Sequence, residues 1–148
     1  MKIRSLLAGI LIGGLFCGRT IAQSLQNGFY YADVASDSTL SREGPEGVLF
    51  LRPTPVLAQT HIQKMKIKKE FGFWVLEIVL DAAGRVVFFY ATQNWIGKKM
   101  AIVADNRIIS APVIQEAVAG GRVQLSGSFT KAEILAIRDR LKPPKKNP

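Results

Sequence analysis

The stretch "IGKKMAIVADNRIISAPVIQEAVAGGRVQLSGSFT", residues 96–130, carries the clearest pattern of turns and apolar runs in this chain of 148 residues. Within it, "MAIVADNRIIS" predicts a β-hairpin, because Asp105–Asn106 separates two apolar runs and both residue types tolerate the positive φ of a tight turn. Pro112 ends the second strand. "VIQEAV" fits either a helical turn or an extended link. Gly120–Gly121 predicts a further turn, and "RVQLSGSF" alternates as a strand does.

A helix is predicted to begin directly after this stretch. Thr130 and Glu133 have the spacing of a capping box, in which each residue satisfies a backbone N–H of the other. Pro143–Pro144 ends the helix, and the basic tail 143–148 is predicted to be disordered. The apolar stripe of this helix comprises Ile134, Leu135, Ile137 and Leu141.

The N-terminus has the layout of a secretory signal peptide. A short basic start is followed by the apolar run Leu6–Phe16, and the small residues Thr20 and Ala22 predict cleavage after residue 22. The run is about half the length of a membrane-spanning helix. Lipoprotein anchoring through Cys17 is the less favoured alternative, because the bulky Phe16 precedes it. We therefore expect a periplasmic protein without a transmembrane span after cleavage.

The mature chain 23–148 would contain no cysteine, so an exported protein of this kind relies on its apolar core for stability. It has 17 basic and 11 acidic side chains, a net charge of +6. This moderate charge and the predicted export argue against a nucleic-acid partner. Anionic membranes, acidic glycans and acidic polypeptides remain open as partners.

Residues 23–58 form a predicted N-terminal extension with short strands, followed by the main domain over 59–142. "GFYYADV" (28–34) and "VLFLRP" (48–53) are β-prone and could pair as a long-looped hairpin, whereas the polar "SDSTLSREGPEG" (36–47) predicts a loop. Residues 60–80 predict two strands joined near 70–72. One face of the second strand carries Trp74, Leu76, Ile78 and Leu80.

Three lysines alternate along the first of these two strands. Lys64, Lys66 and Lys68 fall on one face, which predicts a solvated face or a guarded sheet edge, with contact to an anionic surface as the alternative. The segment 81–97 is ambiguous. Its "RVVFFY" favours a strand after a turn at 81–84. A helix capped by Asp81 and stopped by Gly97 would instead align Phe88, Ala91, Thr92 and Trp95.

Catalytic patterns are weak. His61 has no Asp or Glu at a ligand-like spacing, and Ser110, Ser126 and Ser128 lie in no nucleophile elbow. Asp105 is better explained as a turn residue than as an acid. We therefore predict a protein that is not an enzyme and uses no cofactor or metal.

Residues 74–141 resemble the head subdomain of the first periplasmic domain of SecD, the auxiliary subunit of the bacterial preprotein translocase. The likeness lies in "LDAAG" (80–84), the hairpin "AIVADNRIISAPVI" (101–114) and "SGSFT" (126–130). The family-motif residues, for which we expect structural roles, are Gly97, Asp105, Asn106, Ser110, Glu116, Gly120, Gly121, Gly127, Phe129 and Thr130.

The resemblance implies an α+β fold: a small, mostly antiparallel sheet with two helices packed on it, plus a short N-terminal hairpin-like segment. It also implies a helix over 82–95, whose apolar "RVVFFY" suggests burial on more than one side, under the N-terminal segment. SecD itself has transmembrane helices and works with SecF to couple proton flow to movement of its head. The predicted mature chain has no such helix, so the resemblance implies a module rather than a motor.

The function implied is a non-catalytic module that binds polypeptide or translocase components, with SecD, SecF or unfolded preproteins as partners. The alternative is an exported interaction or envelope-surface-binding protein that reuses the fold. The sequence does not indicate an oligomeric state. An exposed sheet edge can accept an extended chain by strand addition. The residues predicted to line such a site, with core packing as the alternative explanation, are Ala111, Pro112, Val113 and Ile114.

Overall fold

The computed structural model describes residues 23–145. The predicted signal peptide, with Cys17, and the last three residues of the predicted tail lie outside this range. The elements in chain order are β1 (Gly28–Asp33), β2 (Leu40–Gly44), β3 (Gly47–Leu51), β4 (Leu57–Ala58), a short 3-10 helix (Gln59–His61), β5 (Ile62–Glu70), β6 (Phe73–Leu80), α1 (Ala82–Gln93), β7 (Met100–Ala104), β8 (Arg107–Ser110), β9 (Arg122–Leu125) and α2 (Lys131–Leu141).

The first sheet has the strand order β2-β3-β1-β7-β8, with β4 added beside β1. Its described pairs are antiparallel, and β1 pairs with β7 from Gly28↔Val103 to Tyr31↔Met100. The predicted hairpin between 28–34 and 48–53 corresponds to the β1–β3 pair. The sheet curls so that its outer strands, β2 and β8, come close together. A Cβ placed on Gly44 of β2 would lie 3.3 Å from Cγ2 of Ile108 in β8.

The second sheet has the order β5-β6-β9 and is also antiparallel. Its β5–β6 hairpin turns at Phe71–Gly72, as the sequence predicted for residues 70–72. The predicted α+β class with two helices and mostly antiparallel pairing is confirmed. The strands divide into two sheets, whereas the sequence suggested one small sheet plus a separate segment.

The main core lies between the two sheets and the helices. Leu76, Ile78 and Leu80 of β6 are completely buried, as their alternation predicted. Phe29 of β1 and Phe88 of α1 pack edge to face, with ring centroids 5.3 Å apart. A second apolar cluster fills the concave side of the curled first sheet and contains Leu25, Tyr30, Leu51, Ala101, Val103 and Ile108.

The prediction of a loop over 36–47 is wrong, because β2 lies within it and pairs with β3 from Leu40↔Leu51 to Gly44↔Gly47. β2 reads as polar because its residues alternate between half-buried and exposed at the margin of the sheet. Pro45 and Glu46 form only the short turn that joins β2 to β3.

Residues 82–93 are helical, so the helix implied by the resemblance is confirmed and the strand favoured by local propensity is wrong. Asp81 caps the helix by accepting a hydrogen bond of 2.7 Å from the Gly84 N–H. The expected burial of this helix on more than one side is also wrong. Val86, Val87 and Tyr90 are exposed, because α1 packs through the stripe Phe88, Ala91, Thr92 and Trp95.

Candidate functional site

The tight turn between β7 and β8 is a junction for distant parts of the chain. Asp105 and Asn106 have φ values of 49° and 62°, as the predicted turn requires. The Asn106 side-chain oxygen accepts a hydrogen bond of 2.9 Å from the Leu25 N–H, and the Arg42 guanidinium also donates to it. The Asp105 carboxylate pairs with Arg140 of α2 at 3.2 Å. This family-motif turn therefore connects the N-terminal segment, β2 and α2.

The segment after β8 is an extended link, which decides between the two readings of "VIQEAV". Backbone hydrogen bonds tie it to residues 97–100, at the start of β7: Met100 N–H donates to Pro112 O at 3.0 Å, and Gly97 N–H donates to Ile114 O at 2.8 Å. Ile114 is therefore buried, whereas Val113 remains 41% exposed. Gly97 fits this link because its φ is 80°, a conformation that glycine adopts without strain.

Thr92 anchors the continuation of this link to α1. Its buried hydroxyl donates to Phe88 O at 2.8 Å and accepts from Val118 N–H at 2.9 Å. The link then ends at Gly120–Gly121, where Gly121 has a φ of 60° and Gly121 O accepts from Leu80 N–H. The predicted turn is thus present, while the family-motif residue Glu116 lies exposed on the link.

Two open cavities meet at residues 126–128, just after β9. The larger has a volume of about 470 Å³ and is lined by the tip of the β5–β6 hairpin together with Gln124 and residues 126–128. The second, of about 270 Å³, continues on the other side of residues 126–128 toward the β2–β3 turn and β8. We call the two cavities together the β9 groove. Its floor is narrow because Gly127 lies against the Phe129 ring, where an added Cβ would come within 2.9 Å of Cε2.

The structure brings part of the predicted contact segment to this groove. Ala111 and Ser110 line the 270 Å³ cavity together with Gly127 and Phe129. Pro112 and Ile114 instead line a third cavity of about 150 Å³, beside Arg122, Val123 and Gln124 of β9. Val113 belongs to none of these three linings. Within residues 23–145, β9 pairs as a strand only with β6, so its second edge has no strand partner there.

The helix that follows the groove begins as predicted. Thr130 is the N-cap of α2, and the Thr130–Glu133 capping box is formed in both directions. The Thr130 backbone N–H, with help from the Thr130 hydroxyl, holds the pKa of the Glu133 carboxyl below its usual value. The stripe predicted for this helix buries Ile134, Ile137 and Leu141.

The lysine row lies on the outer face of the second sheet. Lys64, Lys66 and Lys68 are exposed there, opposite Val79, Glu77 and Val75 of β6. The Lys68 ammonium donates to the Glu77 carboxylate at 2.8 Å, and this hydrogen bond is the main cause that holds the pKa of Glu77 below its usual value. The row is therefore a charged sheet face, as the sequence predicted.

An aromatic and cationic stack was missed by the sequence analysis. The Tyr31 and Trp95 rings stack with centroids 4.1 Å apart, and Arg52 lies 5.0 Å from the Trp95 centroid. Lys98 approaches the same ring to 4.2 Å. These residues come from separate elements and share no local spacing, so no sequence signal could have found the stack. The stack packs β1 against the end of α1, and the Tyr31 hydroxyl adds a hydrogen bond to Ala91 O of α1.

No Asp or Glu lies at a ligand-like spacing from His61 along the sequence, but the fold brings Asp81 next to it. His61 Nδ1 lies 3.2 Å from the Asp81 carboxylate, because the 3-10 helix packs against the start of α1. Among residues 23–145, no three His, Cys, Asp or Glu side chains converge in a manner that could hold a metal ion.

The profile of the family described as "SecDF, P1 head subdomain" matches residues 34–138. The chain belongs to this family. Its SecD head-like domain therefore covers most of the fold described above.

Curated relatives extend well beyond this domain. The protein translocase subunit SecD of Calditerrivibrio nitroreducens is 43% identical over 76 residues, which is 50% of this chain and 15% of the relative. SecD of Magnetococcus marinus is 39% identical over 79 residues, which is 53% of this chain and 15% of the relative. This chain thus spans about one seventh of the curated proteins that it matches.

A solved structure described as a membrane component SecDF that enhances protein export matches the fold. Its TM-score is 0.59 at 23% identity, with 81% of this chain and 62% of that chain covered. A SecDF crystal structure in a "Super-membrane-facing form" gives a TM-score of 0.60 at 24% identity, over 82% of this chain and 19% of that chain. Neither α1 nor α2, the two α-helices between residues 23 and 145, has the length and apolarity that crossing a membrane requires.

Proposed function

We propose that this chain is a non-catalytic, SecD-head-like module that binds an extended polypeptide segment in the β9 groove during or after protein export in the periplasm. Family membership supports a context of protein translocation. The polypeptide could belong to a preprotein or to a translocase subunit. The observation that carries the proposal is the meeting of the two cavities at residues 126–128, beside the open edge of β9.

An extended peptide suits this geometry because β9 still has an unpaired edge in the described chain. A peptide strand added there would satisfy its own backbone groups and those of β9. Its alternate side chains would point to opposite faces, so one set would reach the 150 Å³ cavity lined by Pro112 and Ile114. The other set would lie above Gln124 and Ser126, which line the 470 Å³ cavity.

The lining also fits a binder of varied sequences. Phe71, Phe73, Ala111 and Phe129 provide apolar surface, while Gln124, Ser126 and Ser128 provide small polar groups. Main-chain hydrogen bonds give affinity that does not depend on the side chains of the peptide, and shallow apolar pockets add limited selectivity. This combination suits unfolded chains of many sequences better than one small ligand.

Photo-crosslinking in the cell tests the proposal. A photoreactive residue replaces Gln124 at the groove, and a matched one replaces Asp37 in the exposed turn between β1 and β2. We expect position 124, and not 37, to crosslink to exported polypeptides in transit or to SecD or SecF. A second change, Ser128→Trp, fills the groove and should abolish these crosslinks, whereas the control Ser36→Trp should leave them intact.

Three results would contradict the proposal. Equal crosslinking at positions 124 and 37 would show that the groove has no preferential contact. Crosslinks from position 124 that survive Ser128→Trp would place the contact outside the groove. The third is a folded, exported chain whose photoreactive residue at position 124 crosslinks to neither emerging chains nor SecD or SecF, which would remove the translocation role. The alternative of an envelope interaction protein that reuses the fold would then stand.

A further inference from the structure

The tip of the β5–β6 hairpin holds two aromatic rings in solvent. Phe71 is 99% exposed, and Phe73 is 55% exposed. Phe71 occupies the first central position of the tight turn with a φ of 48°, and Gly72 occupies the second with a φ of 88°. Glycine suits its position, whereas a bulky residue in the left-handed region is an outlier.

Phe71 packs in neither apolar cluster, and its ring is in solvent at the rim of the larger cavity of the β9 groove. Turns of this kind favour Asn or Gly, because both residues enter the left-handed region at little cost. The turn surroundings are open, since an added Cβ on Gly72 would meet nothing within 4 Å. The ring thus combines an unfavourable backbone conformation with exposure to water. Such a conformation at an exposed tip is typical of a contact with something outside the fold.

The second sheet behind this tip carries excess positive charge, although the acidic Glu70 adjoins Phe71. Five Lys and Arg side chains and two Glu side chains lie on β5, β6 and β9, which gives the second sheet a net charge of +3. Phe73 emerges on the same face as Lys68, because Glu70↔Phe73 and Lys68↔Val75 are successive pairs on that face. Within residues 23–145, Lys64 and Lys66 make no ion pair. We define a hairpin-tip surface by Phe71, Phe73, Lys66, Lys68 and Lys69. Lys66 and Lys68 share the face of Phe73, whereas Lys69 lies on the opposite face, with its ammonium 5.6 Å from the centroid of the Trp74 ring.

We propose that this hairpin-tip surface docks on an anionic lipid bilayer. The Phe71 and Phe73 rings enter the boundary between headgroups and acyl chains, and the lysine ammonium groups contact headgroup phosphates. Apolar insertion combined with attraction of basic side chains to anionic lipids is a general mode of peripheral membrane binding. Phe71 and Phe73 also line the larger cavity of the β9 groove, so the tip would contact either a bilayer or a polypeptide, but lipid binding itself does not require polypeptide in the groove.

The geometry also predicts which lysines matter. Each strand residue advances the chain by about 3.3 Å, so Lys69 lies roughly 7 Å and Lys64 roughly 23 Å from Phe71 along the strand. Attraction to a charged surface decays over about 8 Å at physiological salt. Lys69 should therefore contribute more than Lys64 when the tip is inserted. A soluble polyanion lying along the lysine row would instead engage Lys64 and Lys66 and would not require the Phe71 ring.

Vesicle co-sedimentation tests the proposal with the chain from Gln23, which contains all the strands and helices described here. The vesicles contain phosphatidylglycerol and phosphatidylcholine in equal amounts, or phosphatidylcholine alone. The key variant is Phe71→Asn, because asparagine suits the left-handed turn and should preserve or improve folding. The matched control is Tyr90→Ser, which removes an aromatic ring that is 58% exposed on α1.

We expect Phe71→Asn to weaken binding to the anionic vesicles on the order of tenfold. Lys69→Gln should weaken it roughly fivefold, because a basic residue near an anionic surface contributes about 1 kcal/mol. Lys64→Gln, Tyr90→Ser and Arg107→Gln should change it little. Phe71→Trp should retain binding, and its added fluorescence should shift to the blue with anionic vesicles. Thermal melting checks that each variant is folded.

Three results would overturn the proposal. One is unchanged vesicle binding of a folded Phe71→Asn variant. Another is equal binding to vesicles of phosphatidylcholine alone, which would remove the role of charge. The third is tight binding to heparin or polyglutamate that weakens with Lys64→Gln but not with Phe71→Asn, which would assign the surface to a glycan or an acidic polypeptide. If vesicle binding is intact but position 124 gives no crosslinks, only the polypeptide proposal is contradicted.

Discussion

The Asn106 side-chain oxygen lies 2.9 Å from the Leu25 backbone nitrogen, although 81 residues separate the two along the chain. The same oxygen accepts hydrogen bonds from Arg42, whose guanidinium also donates to Gln23 O. One turn residue thus fixes the start of the described chain against the β7–β8 hairpin. This role explains why an asparagine, rather than a glycine, suits the second position of the turn.

Replacement of Asn106 should destabilise the fold. Asn106→Ala leaves the Leu25 N–H without its partner and places alanine at a φ of 62°, so we expect a loss of about 1–3 kcal/mol in the free energy of unfolding. Urea unfolding measures this loss. Asn106→Asp keeps an acceptor and tolerates the conformation, so it should cost clearly less. Equal losses for both variants would show that the side-chain oxygen is not what matters.

The two adjacent glycines at residues 120 and 121 should respond differently to alanine. Gly121 has a φ of 60°, and an added Cβ would lie 2.9 Å from Cγ of Arg85, so Gly121→Ala should destabilise by more than about 1 kcal/mol. Gly120 has open space around it, so Gly120→Ala should be neutral or slightly stabilising. Thermal unfolding of both variants gives the comparison. A cost for Gly120→Ala as large as that for Gly121→Ala would refute this account of the turn.

Thr92 should be more sensitive to the loss of its hydroxyl than to the loss of its methyl group. Thr92→Val leaves the Val118 N–H without its acceptor in a buried site, for which we expect a cost of about 1–3 kcal/mol. Thr92→Ser keeps the hydroxyl and removes one methyl group, which should cost about 1 kcal/mol. Hydrogen exchange at the Val118 amide should speed up in Thr92→Val alone. Unchanged protection there would contradict the anchoring role.

The capping box of α2 should make stability depend on pH. The Thr130 N–H holds the pKa of Glu133 below its usual 4.5, so the stabilisation is complete above that value and is lost as pH falls through the lowered pKa. Glu133→Gln does not titrate and should show a shallower decline of melting temperature below about pH 4.5. Thr130→Ala should cost about 1 kcal/mol near neutral pH, with Thr130→Ser as the control that keeps the cap. Parallel acid profiles for Glu133→Gln and the parent chain would argue against this coupling.

The elements that the sequence predicted correctly are those with strong local signals. The Asp105–Asn106 turn, the Thr130 cap and the alternation of β6 each depend on neighbours within a few residues. The helix α1 shows the opposite case. Its β-branched and aromatic residues favour a strand locally, but the cap at Asp81 and the buried Phe88 stripe decide for a helix.

The candidate site was predicted only in part, because cavities arise from elements far apart in the chain. Ala111 reaches the β9 groove, but the neighbouring Val113 does not, since the link between β8 and β9 is held in one orientation by backbone bonds to residues 97–100. The exposed Phe71 looked like part of an ordinary turn between two strands. Its exposure and its positive φ are visible only in three dimensions.

The position of β1 between β3 and β7 also has a consequence for the time course of folding. Its pairing with β7 joins residues 28–31 to residues 100–103, so this sheet cannot be completed until residue 103 is available. A chain delivered from its N-terminus, by a ribosome or through a membrane channel, must keep its first strands unpaired with β7 until then. Long-range pairing of this kind slows folding. The N-terminal half would therefore stay available to chaperones and proteases for most of its delivery.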